Sequence, residues 1–325
     1  MHIAEKQKYF ISILICSRDR RRELERLVAK LQNMDSAYNY EIVVVEETDQ
    51  PVPLKDVIYV PHPVANRGIP YARNLALSHA KGDIIVFLDD DCIIHDRWLD
   101  NLLAPFQDKT VVGVQGGVSV PEGSRAIGWA ESILGFPGGG IRRVLEAKGR
   151  VQETREISTL NCAYRRWAIE RVGGFEKRLR LTGEDYVLAK QVCTLGRCLF
   201  VPNAMVSHEA RSSLKKIWQW FVRRGRAEVD VISTKAQGDL TLWTLARGSI
   251  ILKCCALVFL GIVSRFLVTL LLAGALLFAM LQYMRYFKAW NRSPAPFLAF
   301  LLLPFVKILM DVAVDWGRIR GLVLD

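Results

Sequence analysis

The sequence lacks the features that mark a disulfide-rich, secreted or dinucleotide-binding protein. Its 325 residues include seven cysteines and no CxxC motif, which fits a reducing compartment better than a disulfide framework. Residues 1–8 are polar and charged rather than an apolar signal-peptide core, so we expect the first domain to stay in the cytosol. No GxGxxG follows the first predicted strand, which argues against a Rossmann dinucleotide site.

The chain is strongly basic, yet it contains no recognisable nucleic-acid-binding motif. Its formal net charge is +11, its pI is about 9.4 and 51% of its residues are hydrophobic. The apolar excess is concentrated after residue 248, and a group of basic residues near 215–226 precedes it. This combination favours an anionic membrane face and phosphorylated substrates as partners over nucleic acid.

Two long apolar stretches predict membrane-spanning helices. Residues 249–284 are almost continuously apolar, and within them Phe266–Met284 is about long enough to span a bilayer, which takes roughly 20 residues. Ala295–Val314 is the second candidate. Two such runs would be unusual in a soluble core, so we expect two spans, or three if residues 249–264 also cross.

An interfacial helix is expected before these spans. Leu214–Arg226 interleaves tryptophan with lysine and arginine, a pattern typical of helices that lie at the level of lipid headgroups. A basic surface helix packed on the preceding domain would show the same pattern, and the residues alone do not decide between the two interpretations.

Strands and helices alternate through the first ninety residues, which predicts an α/β fold. The helices expected there are Arg21–Gln32, with leucine and valine at helical spacing, and Pro70–Ala80. This order implies a mostly parallel central sheet with right-handed crossovers. The strands expected along the chain are Tyr9–Ile15, Glu41–Val45, Val57–Val60, Ile84–Leu88, Val111–Val120, Ile157–Ala163 and Cys198–Val201.

Three consecutive carboxylates, Asp89, Asp90 and Asp91, follow the strand Ile84–Leu88. Ligands of open α/β sheets bind at the carboxyl ends of the strands, and carboxylates are rarely buried unless they are paired or bound to a cation. On an extended chain Asp89 and Asp91 would share a face, and two such oxygen ligands suit Mg²⁺ or Mn²⁺. An acidic turn after a strand is the simpler alternative.

Two further acids and a histidine stand out later in the sequence. Glu184 and Asp185 open a predicted helix, where the helix dipole alone could explain two acids. His208 follows the last predicted strand, and a structural histidine is the more common case at such a position. These residues become informative only in combination with the others.

The order of these motifs resembles an inverting family 2 glycosyltransferase with the GT-A fold. The resemblance covers roughly residues 9–226, and the order and spacing of the motifs are specific although each motif is weak alone. The motifs are an acid-tipped second strand, Asn66-Arg67-Gly68, Ala72-Arg73-Asn74, Asp89-Asp90-Asp91, Gly173-Gly174-Phe175, Gly183-Glu184-Asp185 and His208.

The resemblance implies a metal-dependent transfer reaction. Asp89 and Asp91 match the DxD motif, in which the carboxylates bind Mg²⁺ or Mn²⁺ and reach the ribose, and His208 matches a histidine that completes the metal shell. Such a cation neutralises the charge that develops on a diphosphate leaving group. Asp185 matches the general base that takes a proton from the acceptor hydroxyl, with Glu184 expected to orient it or to bind the acceptor.

The resemblance also implies where the nucleotide-sugar donor binds. Arg73 matches an arginine that contacts the nucleotide, and Asn161 lies in the segment that borders the donor sugar. Two positions depart from the family pattern: the second strand ends in Glu46-Glu47 instead of an aspartate that reads uracil, and the first loop lacks the aromatic that stacks on the base. Arg18 is expected to stack there instead. UDP is the expected nucleotide, with GDP open, and the residues expected to contact it from these elements are Ser17, Arg18 and Glu47.

Together these expectations describe a glycosyltransferase anchored in the cell membrane. A catalytic domain, residues 1–226, would be joined by a linker, residues 227–248, to a multi-pass membrane domain, residues 249–325. The enzyme would transfer a sugar to a lipid-linked or surface-polysaccharide acceptor at the cytoplasmic face. The alternatives are a polyprenyl-phosphate glycosyltransferase, which needs no strong general base, and a non-catalytic membrane adaptor with a degenerate transferase fold.

Overall fold

The computed structural model describes residues 9–65, 67–179, 182–233, 241–262 and 267–323. They form two compact units. The first unit contains the chain up to Pro121 together with Ala147–Glu209, and the second contains Glu122–Glu146 and the chain from Ala210 onward. Asn66, Phe266, residues 1–8 and residues 234–240 of the predicted linker lie outside the described residues.

Nine strands occur in these described ranges, and they join one mixed sheet in the order β3-β2-β1-β4-β8-β6-β9-β5, with β7 also paired to β9. Strands β1 to β4 pair in parallel, whereas β8 is antiparallel to both of its neighbours. The expected parallel arrangement therefore holds for the first half of the sheet, and β8 makes the whole sheet mixed. The strands are β1 Ile11–Arg18, β2 Tyr40–Glu47, β3 Ile58–His62, β4 Ile84–Asp89, β5 Cys92–Ile94, β6 Val111–Ser119, β7 Gln152–Glu153, β8 Asn161–Arg165 and β9 Arg197–His208.

The helices agree with the sequence in the first unit and differ more in the second. Helix α1 has the predicted bounds, whereas α4 and α5 were not predicted; Gly128 inside α4 weakens its helical pattern. The helices of the described residues are α1 Arg21–Gln32, α2 Ile69–His79, α3 Trp98–Leu103, α4 Ala126–Ile133, α5 Gly140–Ala147, α6 Arg166–Arg171, α7 Glu184–Val192, α8 Leu214–Ser233, α9 Leu242–Gly248, α10 Ile250–Ile262, α11 Leu267–Asn291 and α12 Phe297–Val323.

One predicted strand begins later than expected. Ile157–Ala163 contributes to the sheet only from Asn161, because the residues before it turn: the backbone N–H of Asn161 donates to the carbonyl of Ser158. This turn brings Asn161 to the start of β8, directly opposite Leu88 at the end of β4.

The first unit has a core on each face of the sheet. Along β1, Ile13 packs with residues of α1 and α3 on one face, and Leu14 packs with residues of α2 and α7 on the other. This alternation follows from the two-residue period of a strand. Because helices cover both faces, β1 is apolar from Ile13 to Cys16, before its polar carboxyl end.

The second unit is built from helices. Helix α8 runs without a break through residue 226, so the predicted domain boundary falls inside a continuous helix. The predicted span Ala295–Val314 lies mostly within α12, and in the described part of the chain α12 is the one helix long and apolar enough to cross a membrane by itself. Helices α9 and α10 pass the same test only as a pair bent by 60°. The number of spans therefore stays a prediction.

Candidate active site

The candidate site lies where the carboxyl ends of β1, β2 and β4 meet. In the sheet register Cys16 pairs with Asp89, and Ser17 pairs with Glu46. Because these three strands are parallel neighbours, the polar residues that end them lie at the same edge of the sheet. The sequence therefore brings the first loop, the acidic end of β2 and the three aspartates together.

A turn brings Asp89, Asp91 and His208 together. Strand β4 ends at Asp89, residues 90 and 91 turn, and Cys92 begins β5, where it pairs with His208 of β9. The Nε2 atom of His208 lies 3.1 Å from Asp91 Oδ1 and 3.9 Å from Asp89 Oδ2. Asp89 and Asp91 thus converge through a reversal of the chain, and not along the extended chain that the sequence suggested.

The atoms of this cluster fit a divalent cation. One potential ligand atom from each of Asp89, Asp91 and His208 lies within 4.8 Å of the other two. The Oδ1 atom of Asp91 is buried and makes no hydrogen bond to any described residue, although buried polar atoms normally have a partner. Two carboxylate oxygens and an imidazole nitrogen are ligands that Mg²⁺ or Mn²⁺ can use. The geometry does not distinguish between these two ions.

Asp90 points to the other side of the turn, toward the first loop. Its carboxylate accepts hydrogen bonds from Ser17 Oγ at 2.7 Å and from Arg20 Nη1 at 3.0 Å. The same Arg20 nitrogen donates to Asp91 Oδ2 at 2.5 Å. Burial raises the pKa of Asp90 from 3.8 to about 6, while Ser17 and Arg20 act in the opposite direction. Arg20 therefore compensates two of the three consecutive carboxylates.

Arg73 connects the aspartates to α7. Its guanidinium is buried, donates to Glu184 Oε1 and lies 3.6 Å from Asp89 Oδ1. Burial raises the pKa of Asp89, and Arg73 opposes that shift. One arginine from α2 thus pairs with an acid of the cation cluster and with an acid of α7.

The two adjacent acids of α7 have different environments. Glu184 is buried against Arg73, and burial raises its pKa to about 7 although Arg73 opposes the shift. Asp185 is only partly buried, and one of its oxygens accepts the backbone N–H of Tyr186 at 2.8 Å. Asp185 is therefore the more accessible carboxylate of the pair, and Glu184 is committed to an internal ion pair.

The end of β2 has a buried and a more accessible acid as well. Glu46 is buried and accepts hydrogen bonds from Arg21 at 2.8 Å and Tyr59 at 2.5 Å. Glu47 lies 3.3 Å from Arg18 and accepts the backbone N–H of Ala65. The guanidinium of Arg18 is exposed, whereas the Glu47 carboxylate beside it is largely covered, so Arg18 is the more accessible group of this pair.

The sequence from residue 12 to residue 173 matches the family model described as glycosyl transferase family 2. This range contains β1 to α6, with Arg73 and the three aspartates. The chain belongs to glycosyltransferase family 2.

Two curated relatives of this glycosyltransferase illustrate the similarity. A pre-mycofactocin glycosyltransferase from Mycobacterium tuberculosis is 28% identical over 223 residues, covering 66% of this chain and 45% of the relative. The succinoglycan biosynthesis protein ExoM from Rhizobium meliloti is 31% identical over 202 residues, covering 59% of this chain and 61% of the relative. The chain therefore spans about half the length of these relatives.

A solved structure supports the GT-A fold. The mannosyltransferase PcManGT from Pyrobaculum calidifontis, solved in complex with GDP-Man and Mn²⁺, superposes with a TM-score of 0.58 at 18% identity. The superposition covers 98% of this chain and 88% of that one. At this identity the likeness concerns the fold, which agrees with the fold expected from the sequence.

The position of Asn161 differs from the expected one. Its side chain is fully buried, donates to the carbonyls of Gly117 and Ala204 at 2.9 Å each, and accepts from Trp98 Nε1 at 2.8 Å. All of these partners are protein atoms of the core between β8, β6 and β9. A direct contact with a donor sugar is not compatible with this position, so the glycosyltransferase uses Asn161 to join strands behind the site.

Sequence reasoning did not assign roles to Arg20 and Asp90. Both belong to segments that were singled out, the first loop and the acidic run, but their pairing depends on the turn after Asp89. The feature that could have revealed this contact is the parallel pairing of β1 and β4, because it places the loop after β1 beside the end of β4. Ser17 was expected to contact the nucleotide, and in the structure its hydroxyl donates to Asp90.

The packing role of Asn161 predicts a loss of stability in Asn161→Ala. The substitution removes three buried hydrogen bonds and leaves the buried Trp98 N–H without its acceptor, so we expect it to lower the free energy of unfolding by about 2–4 kcal/mol. Asn101→Ala is the matched control, because Asn101 donates only one surface hydrogen bond, to the carbonyl of Asn203. Denaturant unfolding without nucleotide measures both. Equal stability of the two variants would contradict the packing role.

The raised pKa of Asp90 predicts a pH-dependent difference between the parent protein and Asp90→Asn. A carboxyl whose pKa is higher in the folded than in the unfolded state contributes stability at low pH, and this contribution is lost as pH rises from about 4 to about 6. We therefore expect Asp90→Asn to gain stability relative to the parent over this range, by roughly 3 kcal/mol at most. Unfolding free energies measured across the range test this, and parallel curves would contradict it.

Proposed function

We propose that this protein is an inverting glycosyltransferase that uses a nucleoside-diphosphate sugar and a divalent cation. The observation that carries the proposal is the connection of two groups of side chains: a cation cluster of Asp89, Asp91 and His208, and the start of α7, where Asp185 is the more accessible carboxylate. The link between them is Arg73, which pairs with both Asp89 and Glu184.

The donor would bind with its diphosphate at the aspartate cluster. Asp89, Asp91 and His208 would hold Mg²⁺ or Mn²⁺, which supplies charge neutralisation for the diphosphate when it leaves. The nucleobase would then lie toward the end of β2, where Glu47 can accept an imide proton and Arg18 can stack on a ring. The similar mannosyltransferase was solved with a guanine nucleotide, so both UDP and GDP sugars belong in the test, with UDP as our first choice.

The acceptor would be activated by Asp185. In this scheme the Asp185 carboxylate takes the proton of an acceptor hydroxyl, the hydroxyl oxygen forms a bond to the anomeric carbon, and the bond from that carbon to the diphosphate oxygen breaks. One displacement inverts the anomeric centre and releases the nucleoside diphosphate. Glu184 would act as a positioning residue, because its pairing with Arg73 fixes the start of α7.

The second unit and the relatives support the acceptor class that we propose. A lipid-linked saccharide or a growing surface polysaccharide suits an enzyme whose helices expose large apolar side chains, and one similar protein is a succinoglycan biosynthesis protein. We propose that the transfer takes place at the cytoplasmic face of the cell membrane, where nucleotide sugars are available.

The test separates donor binding from base catalysis. Detergent-solubilised protein is assayed for thermal stabilisation by UDP, GDP, CMP and dTDP with and without Mn²⁺, because a ligand that binds the native state raises its stability. Transfer is then measured with the matching sugar nucleotide. We expect Asp91→Ala to lose both properties, and Asp185→Asn to retain the thermal shift but lose about 10²- to 10⁴-fold in transfer rate.

Asp56→Asn is the matched control, because Asp56 is an exposed acid of the same unit outside the candidate site. Full transfer by Asp185→Asn together with loss of transfer in Asp91→Ala would favour a phosphate acceptor that needs no base, as in a polyprenyl-phosphate glycosyltransferase. A parent protein that shows no metal-dependent nucleotide shift would favour the non-catalytic adaptor.

A further inference from the structure

The helices of the second unit expose apolar side chains in two different patterns. Helix α12 is buried along one face and exposed along the opposite face, whereas α10 from Leu252 to Phe259 and the described residues of the first half of α11 are exposed on nearly every side; toward its carboxyl end α11 is packed on one side, where Tyr286 and Ala289 are buried. A one-sided apolar face is typical of a helix that lies on a membrane surface. All-round apolar exposure is typical of a helix surrounded by lipid.

The two faces of α12 extend along most of its length. The buried face packs within the second unit, and the exposed face carries large apolar side chains, of which Phe305 is 70% exposed. From Leu298 to Ile319 the exposed face is about 32 Å long at 1.5 Å per residue. The buried face contains Ala299, Leu303, Val306, Met310, Ala313 and Gly317, and the exposed face contains Leu298, Leu301, Phe305, Ile308, Trp316 and Ile319.

The basic helix α8 lies directly against the buried face of α12. Gly225 of α8 faces the backbone of Val314, and Gly317 of α12 faces the backbone of Val222, so a side chain on either glycine would clash with the facing carbonyl. The pair is also joined by the ion pair of Arg318 with Glu228, at 2.7 Å. The two helices therefore form one rigid element, which we call the α8–α12 pair.

The charges of α8 are incompatible with a transmembrane position of this pair. Lys215, Lys216 and Arg223 of α8 are exposed, and exposed cations are strongly unfavourable in hydrocarbon. If α12 crossed the bilayer, it would carry α8 with it. If the α8–α12 pair lies along the surface instead, these cations can contact anionic headgroups.

Helix α11 has the surroundings of an inserted helix. From Leu271 to Leu277 its residues are apolar and, apart from the half-buried Gly274, exposed, with Leu276 at 72% exposure. Its carboxyl end is rich in aromatic and basic residues, and there Trp290 stacks on Phe300 of α12 with ring centroids 4.6 Å apart. Such residues are typical of the membrane–water interface.

Helix α10 departs from the α8–α12 pair at a fixed point. The Oδ2 atom of Asp315, a buried residue of α12, accepts the backbone N–H groups of Ile250 and Ile251 at 2.7 and 3.0 Å and the hydroxyl of Ser249 at 2.9 Å. These are the orphan donors at the start of a helix. The polar start of α10 is thus held at the level of α12, and its apolar remainder continues away from that point.

We propose that the α8–α12 pair lies in the plane of an anionic lipid surface, and that α10 and α11 are the helices that enter the hydrocarbon. The exposed face of α12 contacts acyl chains just below the headgroups, and the cations of α8 contact the headgroups. In this arrangement α12, the longest apolar helix, contacts the membrane through its exposed face and does not span the bilayer. It does not depend on the proposed transfer reaction.

The depth of single spin labels in vesicles tests this arrangement. A genetically encoded azide residue is placed at Leu298, Phe305 or Ile319 of α12, at Leu276 of α11, or at Val52 of the first unit, and each is coupled to a nitroxide. The full chain is reconstituted in vesicles that contain phosphatidylglycerol. Relaxation by oxygen and by a water-soluble nickel complex gives the depth of each label, and all five positions are exposed, so labelling preserves the fold.

We expect the three α12 labels to lie at similar shallow depths, about 5–10 Å into the boundary region, the Leu276 label to lie deeper, and the Val52 label to remain in water. A depth that changes steadily from Leu298 to Ile319, by about 1.5 Å per residue, would show that α12 crosses the bilayer and would overturn the proposal. Water accessibility at Leu276 equal to that at Val52 would also overturn it.

Discussion

The compensation of three consecutive carboxylates at the end of β4 is the constraint on which the candidate site depends. Burial raises the pKa of Asp89 and Asp90, and the neighbouring carboxylates raise the pKa of these two groups further. Two guanidinium groups from separate elements compensate these carboxylates, Arg20 after β1 and Arg73 from α2, and His208 of β9 lies against Asp91. These elements are distant in sequence, and the fold of the first unit brings them to the aspartates. The geometry of the site therefore depends on that fold.

The same compensation explains why two adjacent acids of α7 can have different roles. The guanidinium of Arg73 lies near the Asp89 carboxylate on one side and forms an ion pair with Glu184 on the other. Glu184 is thereby fixed inside the protein, whereas Asp185, one residue later on the helix, points to a more accessible environment. A proton acceptor must lie within hydrogen-bond reach of the substrate hydroxyl, so the more accessible Asp185 is better placed for this role than Glu184, which is buried against Arg73.

Much of the first unit follows from local sequence patterns. The apolar strands β1, β2 and β4 and the amphipathic helix α1 are regular enough to be predicted, and parallel pairing then places the polar ends of the strands at one edge. The turn after Asp89 could not be predicted, because an acidic run is compatible with both an extended and a turned chain. The position of Asn161 was also beyond local patterns, since its burial depends on Trp98, Gly117 and Ala204, which are distant in sequence. A metal-binding role for His208 was predicted only from the family resemblance, because the position of His208 depends on its pairing with Cys92 of β5.

The central claim is that Asp89, Asp91 and His208 hold one divalent cation, and the nitrogen ligand is its most specific element. Electron spin-echo spectroscopy of Mn²⁺ bound together with UDP or GDP detects a directly bound imidazole nitrogen. We predict such a nitrogen signal in the parent protein and in His95→Gln, whose histidine directly follows β5 and contacts Ser207, and its loss in His208→Gln. A parent spectrum without a nitrogen signal, or an unchanged signal in His208→Gln, would contradict the account.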